Sequence, residues 1–192
     1  MHQLVDLIFP PLCLSCQERC ETKFLCPDCW CACELPDPIE RCRHCFEELD
    51  QRGNLCAQCR EHRRLSSLRA YVFDPDSPAH YLGVEAPMAM AGFAVVQWIQ
   101  LEWPLPSAVI PMPDTSSIAI GKAFAELLEV PFVRALFTSL EYREDRLEEE
   151  GQLLLFDVSN TLSNLQKAGQ ALAEAFPKRV YILSLYTNNF KS

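Results

Sequence analysis

The sequence predicts an α/β chain in two parts, a cysteine-rich module over residues 1–64 and a mostly parallel sheet with flanking helices over residues 65–192. Three observations carry this. All eleven cysteines lie within the first third of the 192 residues. Eight of them fall into four C-x-x-C pairs. From residue 69 onward, short apolar runs alternate with stretches of helical period.

The pairs are Cys13/Cys16, Cys26/Cys29, Cys42/Cys45 and Cys56/Cys59. Two residues between paired cysteines let a tight turn aim both sulfurs at one point. Two such turns complete a tetrahedral Zn²⁺ shell. Nine residues separate the first pair from the second, and ten separate the third from the fourth. Phe24-Leu25-Cys26 is echoed by Asn54-Leu55-Cys56, so the module is a duplicated unit of about 30 residues. It reads as two consecutive zinc ribbons, Cys13, Cys16, Cys26 and Cys29 holding one structural ion and Cys42, Cys45, Cys56 and Cys59 the other. A cross-braced pairing, first with third and second with fourth, also fits the spacing but accounts less well for the repeat. Small hairpins of this kind have almost no core, and metal supplies on the order of 10–16 kcal/mol per structural site. Cys20, Cys31 and Cys33 are left as spare thiols. His44, between two ligands of one pair, is expected to be exposed.

A disulfide framework is the competing account of so many cysteines. Their odd number argues against it, as does the opening segment. The apolar patch of Leu4, Val5, Leu7, Ile8 and Phe9 is short, lacks a basic start and ends in Pro10-Pro11, unlike a secretory signal. Reduced thiols and a cytoplasmic location are the expectation.

Formal net charge is −9, and eight thiolates against two divalent ions leave the loaded chain more acidic still. That balance does not suit a protein gripping nucleic acid through bulk electrostatics. One basic cluster, Arg60, His62, Arg63, Arg64 and Arg69, follows the last cysteine pair. It reads first as a solvated linker, and second as the place to look for a phosphate contact. The longest uncharged run, residues 86–101, is interrupted by Pro87, Gln97 and Gln100 and is shorter than the roughly 20 apolar residues of a membrane span. A buried helix is the better reading.

Along the second part, residues 69–73 read as a strand ended by Asp74-Pro75-Asp76-Ser77-Pro78. The helix over 86–101 is expected to set Met88, Gly92, Val95, Val96 and Ile99 on one apolar face. Residues 108–110 form a buried strand, and Thr115 to Ser117 offer an N-cap. The helix they open runs to about Val130, stopped by Pro131, with Ile120, Phe124, Leu127 and Leu128 on a common face. Residues 132–137 return as a strand, and 141–150 form an acidic exposed segment. A strand over 152–156 runs into Asp157. A helix over 160–176 buries Leu162, Leu165, Leu172 and Phe176, and a last strand covers 180–186.

A double zinc ribbon ahead of this pattern resembles the ComF family of competence-related proteins, over nearly the whole chain. The residues that carry the likeness are Asp6-Leu7-Ile8-Phe9-Pro10-Pro11 leading into Cys13-x-x-Cys16, then Leu25-Cys26-Pro27-Asp28-Cys29-Trp30, Ile110-Pro111-Met112-Pro113 and Leu153 to Val158. The resemblance implies a type I phosphoribosyltransferase-like domain, a role in uptake of transforming DNA, protein partners met through the ribbons, and a single-stranded DNA contact through Arg60, Arg63, Arg64 and Arg69. In that family two acidic residues at the strand end hold the ribose of phosphoribosyl pyrophosphate (PRPP) with Mg²⁺. A Thr- and Gly-rich turn then wraps its 5′-phosphate. Here Phe156-Asp157 replaces the acidic pair, and Leu162 stands where glycine lets backbone approach phosphate. Asp114 to Gly121 lacks the family's arginines, and Glu141 to Glu150 would repel a diphosphate. Asp157 and Thr161 are thus a vestigial PRPP site, no residue is assigned as catalytic, and an inactive homologue is expected. The alternatives are a PRPP-dependent transferase and a cysteine-based redox sensor or zinc buffer.

Overall fold

The computed structural model describes residues 11–20, 24–49, 53–61, 67–82, 85–134, 151–158, 164, 165, 167, 168, 172 and 179–186. Strands β1 (Ser67–Phe73), β2 (Ala108–Pro111), β3 (Gln152–Asp157) and β4 (Arg179–Tyr186) form one sheet in the order β1-β4-β3-β2. Every pairing is parallel, so the α/β class predicted from alternating apolar runs is what the chain adopts. Phe132 extends the sheet by a parallel bridge to Val109; the remainder of the strand expected over 132–137 lies outside the described residues, as does the acidic segment 141–150.

Both faces of the sheet are covered. Leu154 and Phe156 of β3 and Tyr181, Leu183 and Leu185 of β4 join the core under α3 (Pro87–Gln100) and α4 (Thr115–Leu128). Their neighbours Leu153, Leu155, Val180 and Ile182 join a second core with the helical residues Leu165, Ala168 and Leu172. The alternation is the two-residue period of a strand buried on both sides. The short helices α1 (Pro27–Cys31) and α2 (Ala57–Glu61) belong to the cysteine module.

The apolar face expected of α3 is largely its outer one, and α4 departs from expectation in three details. α3 buries Met90, Ala91, Ala94, Gln97 and Trp98, whereas Met88, Val96 and Ile99 are 52 %, 46 % and 65 % exposed. This helix is apolar all round, so periodicity does not choose its inward face; Trp98 does, packing against Trp103, Phe124 and Tyr181. On α4, Ile120 and Phe124 face inward as expected, but Leu127 is exposed. Its N-cap is Asp114, whose Oδ1 accepts from the Ser117 amide at 2.8 Å, rather than any of residues 115–117. Its end comes at Leu128, before Pro131 can act. Glu129 turns left-handed (φ 56°), and the Val130 and Glu129 amides return to the carbonyls of Ala125 and Glu126, a Schellman closure.

Gly92 and Gly121, the α-helical glycines among the described residues, make opposite predictions. A Cβ at Gly92 meets nothing within 4 Å, so Gly92→Ala should stabilise the fold by about 0.5–1 kcal/mol through helix propensity. A Cβ at Gly121 would lie 3.2 Å from the Phe156 ring, and Gly121→Ala should gain little or lose stability. Urea denaturation of the pair checks both signs.

The cysteine module repeats bond for bond. Cys13 and Gln17 donate to Glu18 and Cys13, and their counterparts Cys42 and Phe46 to Glu47 and Cys42. The Leu14 amide reaches the Phe24 carbonyl as Arg43 reaches Asn54, and the bridges Leu12 to Arg19 and Arg41 to Glu48 correspond. Gln17 and Phe46, each just past a knuckle, share a left-handed backbone (φ 62° and 65°). The environments diverge. Leu12 is 47 % exposed while its counterpart Arg41 is 9 % exposed, and Gln17 is exposed while Phe46 is buried. The second ribbon has turned inward the face that the first leaves open.

That face is docked on the sheet. Arg41 donates to the Tyr71 hydroxyl and reaches both Asp74 oxygens at 3.2 and 3.3 Å, with its guanidinium over the Phe46 and Tyr71 rings. Phe46 meets Tyr71 edge-on, and the Arg69 amide of β1 donates to the His44 carbonyl at 2.9 Å. The first ribbon is joined by Trp30 stacked on Phe93, and the linker between the ribbons by Gln97 Nε2 donating to the Pro36 carbonyl. One apolar cluster runs from Cys13 to Tyr186. The ribbons therefore have no separate core, and they share that of the sheet.

Candidate metal centres

Each ribbon converges on one point. The sulfurs of Cys13, Cys16, Cys26 and Cys29 lie within 4.8 Å of one another, and so do those of Cys42, Cys45, Cys56 and Cys59. The pairs therefore combine sequentially rather than in the cross-braced order. No disulfide is present. A disulfide would bring two sulfurs to about 2.05 Å, whereas a tetrahedral Zn²⁺ with bonds of about 2.3 Å sets them about 3.8 Å apart. Cys16 and Cys26 are separated by 3.7 Å, and Cys45 and Cys56 by 3.6 Å. The donor set and its spacing fit one tetrahedral thiophilic ion in each ribbon.

Local sequence builds these points. Cys26 caps α1 with its own sulfur, which accepts from the Cys29 amide at 3.5 Å, and Pro27 starts the turn. In the second ribbon the Cys56 amide donates to Cys42 Sγ at 3.3 Å. Such amides favour thiolate. Burial works against ionising Cys13, yet the Cys16, Cys26 and Ser15 amides outweigh it and bring its pKa down to about 6. Cys42 is likewise opposed by burial and carried down to about 7 by the amides of Cys45, Cys56 and His44. The other sulfurs cannot follow unaided. Burial and then neighbouring sulfurs push Cys59 up to about 12, and burial raises Cys45 as well. The Glu18 amide favours the Cys16 thiolate, but burial and the three other sulfurs carry that thiol up to about 12. A divalent cation at the centre is what lets all four ionise together.

The sign of the pH dependence follows. Lowered thiols contribute fully above the ordinary value of 9.0, and that contribution is lost as pH falls through about 6 for Cys13 and about 7 for Cys42. Protons also compete for every ligand sulfur. Acidification from about pH 8 to about pH 5 should release metal from both ribbons, as a chromogenic chelator would read.

The remaining expected residues sort as follows. Cys31 is exposed, while Cys33 is buried and donates to the Cys29 carbonyl at 3.3 Å, so it is a core residue rather than an accessible spare. Cys20 is half-buried, and its amide donates to Pro11. His44 is not exposed as expected: it is half-buried, with Nδ1 3.7 Å from Cys59 Sγ, a contact that spacing alone does not reveal. Arg60 is exposed on α2, Arg63 and Arg64 lie outside the described residues, and Arg69 is half-buried against the second ribbon. Asp157 closes β3 with no exposure, and Thr161 lies outside the described residues. Next to Asp157, the Val158 amide donates to the buried Ser117 hydroxyl at 3.0 Å, tying the end of β3 to α4.

Among the described residues no helix is long and apolar enough to cross a membrane. In comparisons with known proteins, no family model and no curated protein matches the chain.

Proposed function

We propose that this chain is a zinc-dependent interaction protein of the ComF type, in which two structural zinc ions fix a ribbon module to a phosphoribosyltransferase-like sheet that no longer transfers phosphoribosyl groups. The observation that carries the reading is the pair of Cys₄ clusters at zinc spacing, built into the same apolar core as the sheet. The first ion would be held by Cys13, Cys16, Cys26 and Cys29, the second by Cys42, Cys45, Cys56 and Cys59. With all four positions taken by protein, such an ion shapes the chain and leaves no open position for substrate.

Two further features support a binding role over catalysis. Ligands of parallel sheets bind beyond the carboxyl ends of the strands, where Asp157 presents no surface and Ser117 spans the gap to Val158. In contrast, Met88, Val96 and Ile99 leave an apolar stripe on the outside of α3, and Ile39 is 85 % exposed between the ribbons. Such surface suits a protein partner. Uptake of transforming DNA is the process in which the family resemblance sets that partner.

The test is capture from native lysate by zinc-loaded protein, repeated after chelation. A partner retained only by the loaded form is the expected result. Calorimetry with PRPP and Mg²⁺ gives the enzyme reading its chance. Heat abolished by Asp157→Ala would replace the present proposal, and no heat at millimolar ligand would leave it standing.

A further inference from the structure

The duplication supplies an internal control. Equivalent positions of the two ribbons do equivalent jobs: Ser15 hydrogen-bonds Cys29 as His44 approaches Cys59. What the first ribbon lacks, among the described residues, is the strand. The Ser15 carbonyl receives no counterpart of the bond that the Arg69 amide makes to His44. Arg69 lines a cleft of about 750 Å³ together with Glu102 and with Arg43, Gly53 and Asn54 of the second ribbon. Its Nε is buried without a hydrogen-bond partner; burial disfavours its charge, and thiolates at Cys45 and Cys59 favour it. A Cys₄ site holding a divalent ion keeps a net charge of about −2. A half-buried guanidinium beside it offsets part of that charge where water screens poorly. Solvent access differs too. Cys16 of the first cluster is exposed, whereas every sulfur-bearing residue of the second is buried or half-buried.

We infer that Arg69 is the counter-ion of the second metal centre and makes the two centres unequal: the second retains its ion, and the first, with no such cation among the described residues, exchanges it. Arg69 acts as a positioning residue, through charge beside Cys45 and Cys59 and not as a ligand. The first ribbon is then the one that gives up zinc to a competing chelator, while the ribbon docked on β1 stays closed. The inference rests on zinc occupying both clusters.

Stopped-flow release of zinc to a chromogenic chelator, with iodoacetamide trapping and mass spectrometry of the alkylated cysteines, tests it on the intact loaded protein. Two phases are expected, the fast one labelling Cys13, Cys16, Cys26 and Cys29 and the slow one Cys42, Cys45, Cys56 and Cys59. Arg69→Gln should accelerate the slow phase by about 10- to 100-fold, the usual weight of an outer-shell partner. Arg69→Lys should restore most of the retention, and Arg43→Gln should leave it unchanged. A single phase, the reverse labelling order, or equal acceleration by Arg69→Gln and Arg69→Lys would overturn the inference. Protein carrying no zinc at all by elemental analysis would instead overturn the proposed function. A variant that folds poorly shows itself in the fast phase as well, and the Arg69→Lys comparison separates charge from local packing in the second ribbon.

Discussion

Cys42→Ser is expected to halve the zinc content and to lower the melting temperature by on the order of 10 °C or more. Cys42 is fully buried and has three tasks: its sulfur receives the Cys56 amide, its own amide is held by Glu47, and its carbonyl fixes the left-handed turn at Phe46. Losing the second ion therefore loosens Phe46 and Arg41 as well, and with them the contact to Tyr71. Cys16→Ser makes the comparison informative. It also removes one ion, but from an exposed position whose ribbon leaves its equivalent face open. Its melting temperature should fall less. Calorimetric melting with elemental analysis reads both quantities, and equal losses from the two variants would contradict the unequal docking described above.

Arg41→Ala should cost about 2–4 kcal/mol, more than any surface ion pair can explain. The side chain is only 10 % exposed. Its bond to Glu48, which is 77 % exposed, contributes little. The larger share comes from the Tyr71 hydroxyl, the two Asp74 oxygens and the aromatic faces under the guanidinium. Lysine cannot reproduce a planar fork that serves a hydroxyl and a carboxylate at once, so Arg41→Lys should recover less than half of the loss. A double-mutant cycle with Tyr71→Phe isolates the hydrogen bond: coupling well below about 0.5 kcal/mol would assign the effect to packing alone.

The ligands were legible because metal chemistry leaves a local trace: two residues between sulfurs is a constraint that tertiary structure cannot hide. The strands were legible for a similar reason, since Leu153 to Phe156 and Val180 to Tyr186 are apolar on both sides and too short for helices. The inward face of α3 was not, because Val95, Val96 and Ile99 are as apolar as Met90, Ala94 and Trp98, and only the partner surface decides between them. The same holds for Arg41. A charged residue next to a ligand cysteine looks solvated in sequence, and its burial follows from Tyr71 and Asp74, some thirty residues away. His44 and Arg69 acquire their places by that docking too. For the PRPP signature, sequence showed the missing carboxylate; the burial of Asp157 depends on how α4 crosses the end of β3.

The strand order has a consequence for biosynthesis. β4 is the last of the described strands yet lies inside the sheet, between β1 and β3. A nascent polypeptide can load its ribbons early, but β1 waits for a neighbour more than a hundred positions downstream, from Ser67 to Val180. Synthesis that stops before Arg179 would leave a metal-bearing head beside two separated halves of a sheet, with unpaired edges open to aggregation.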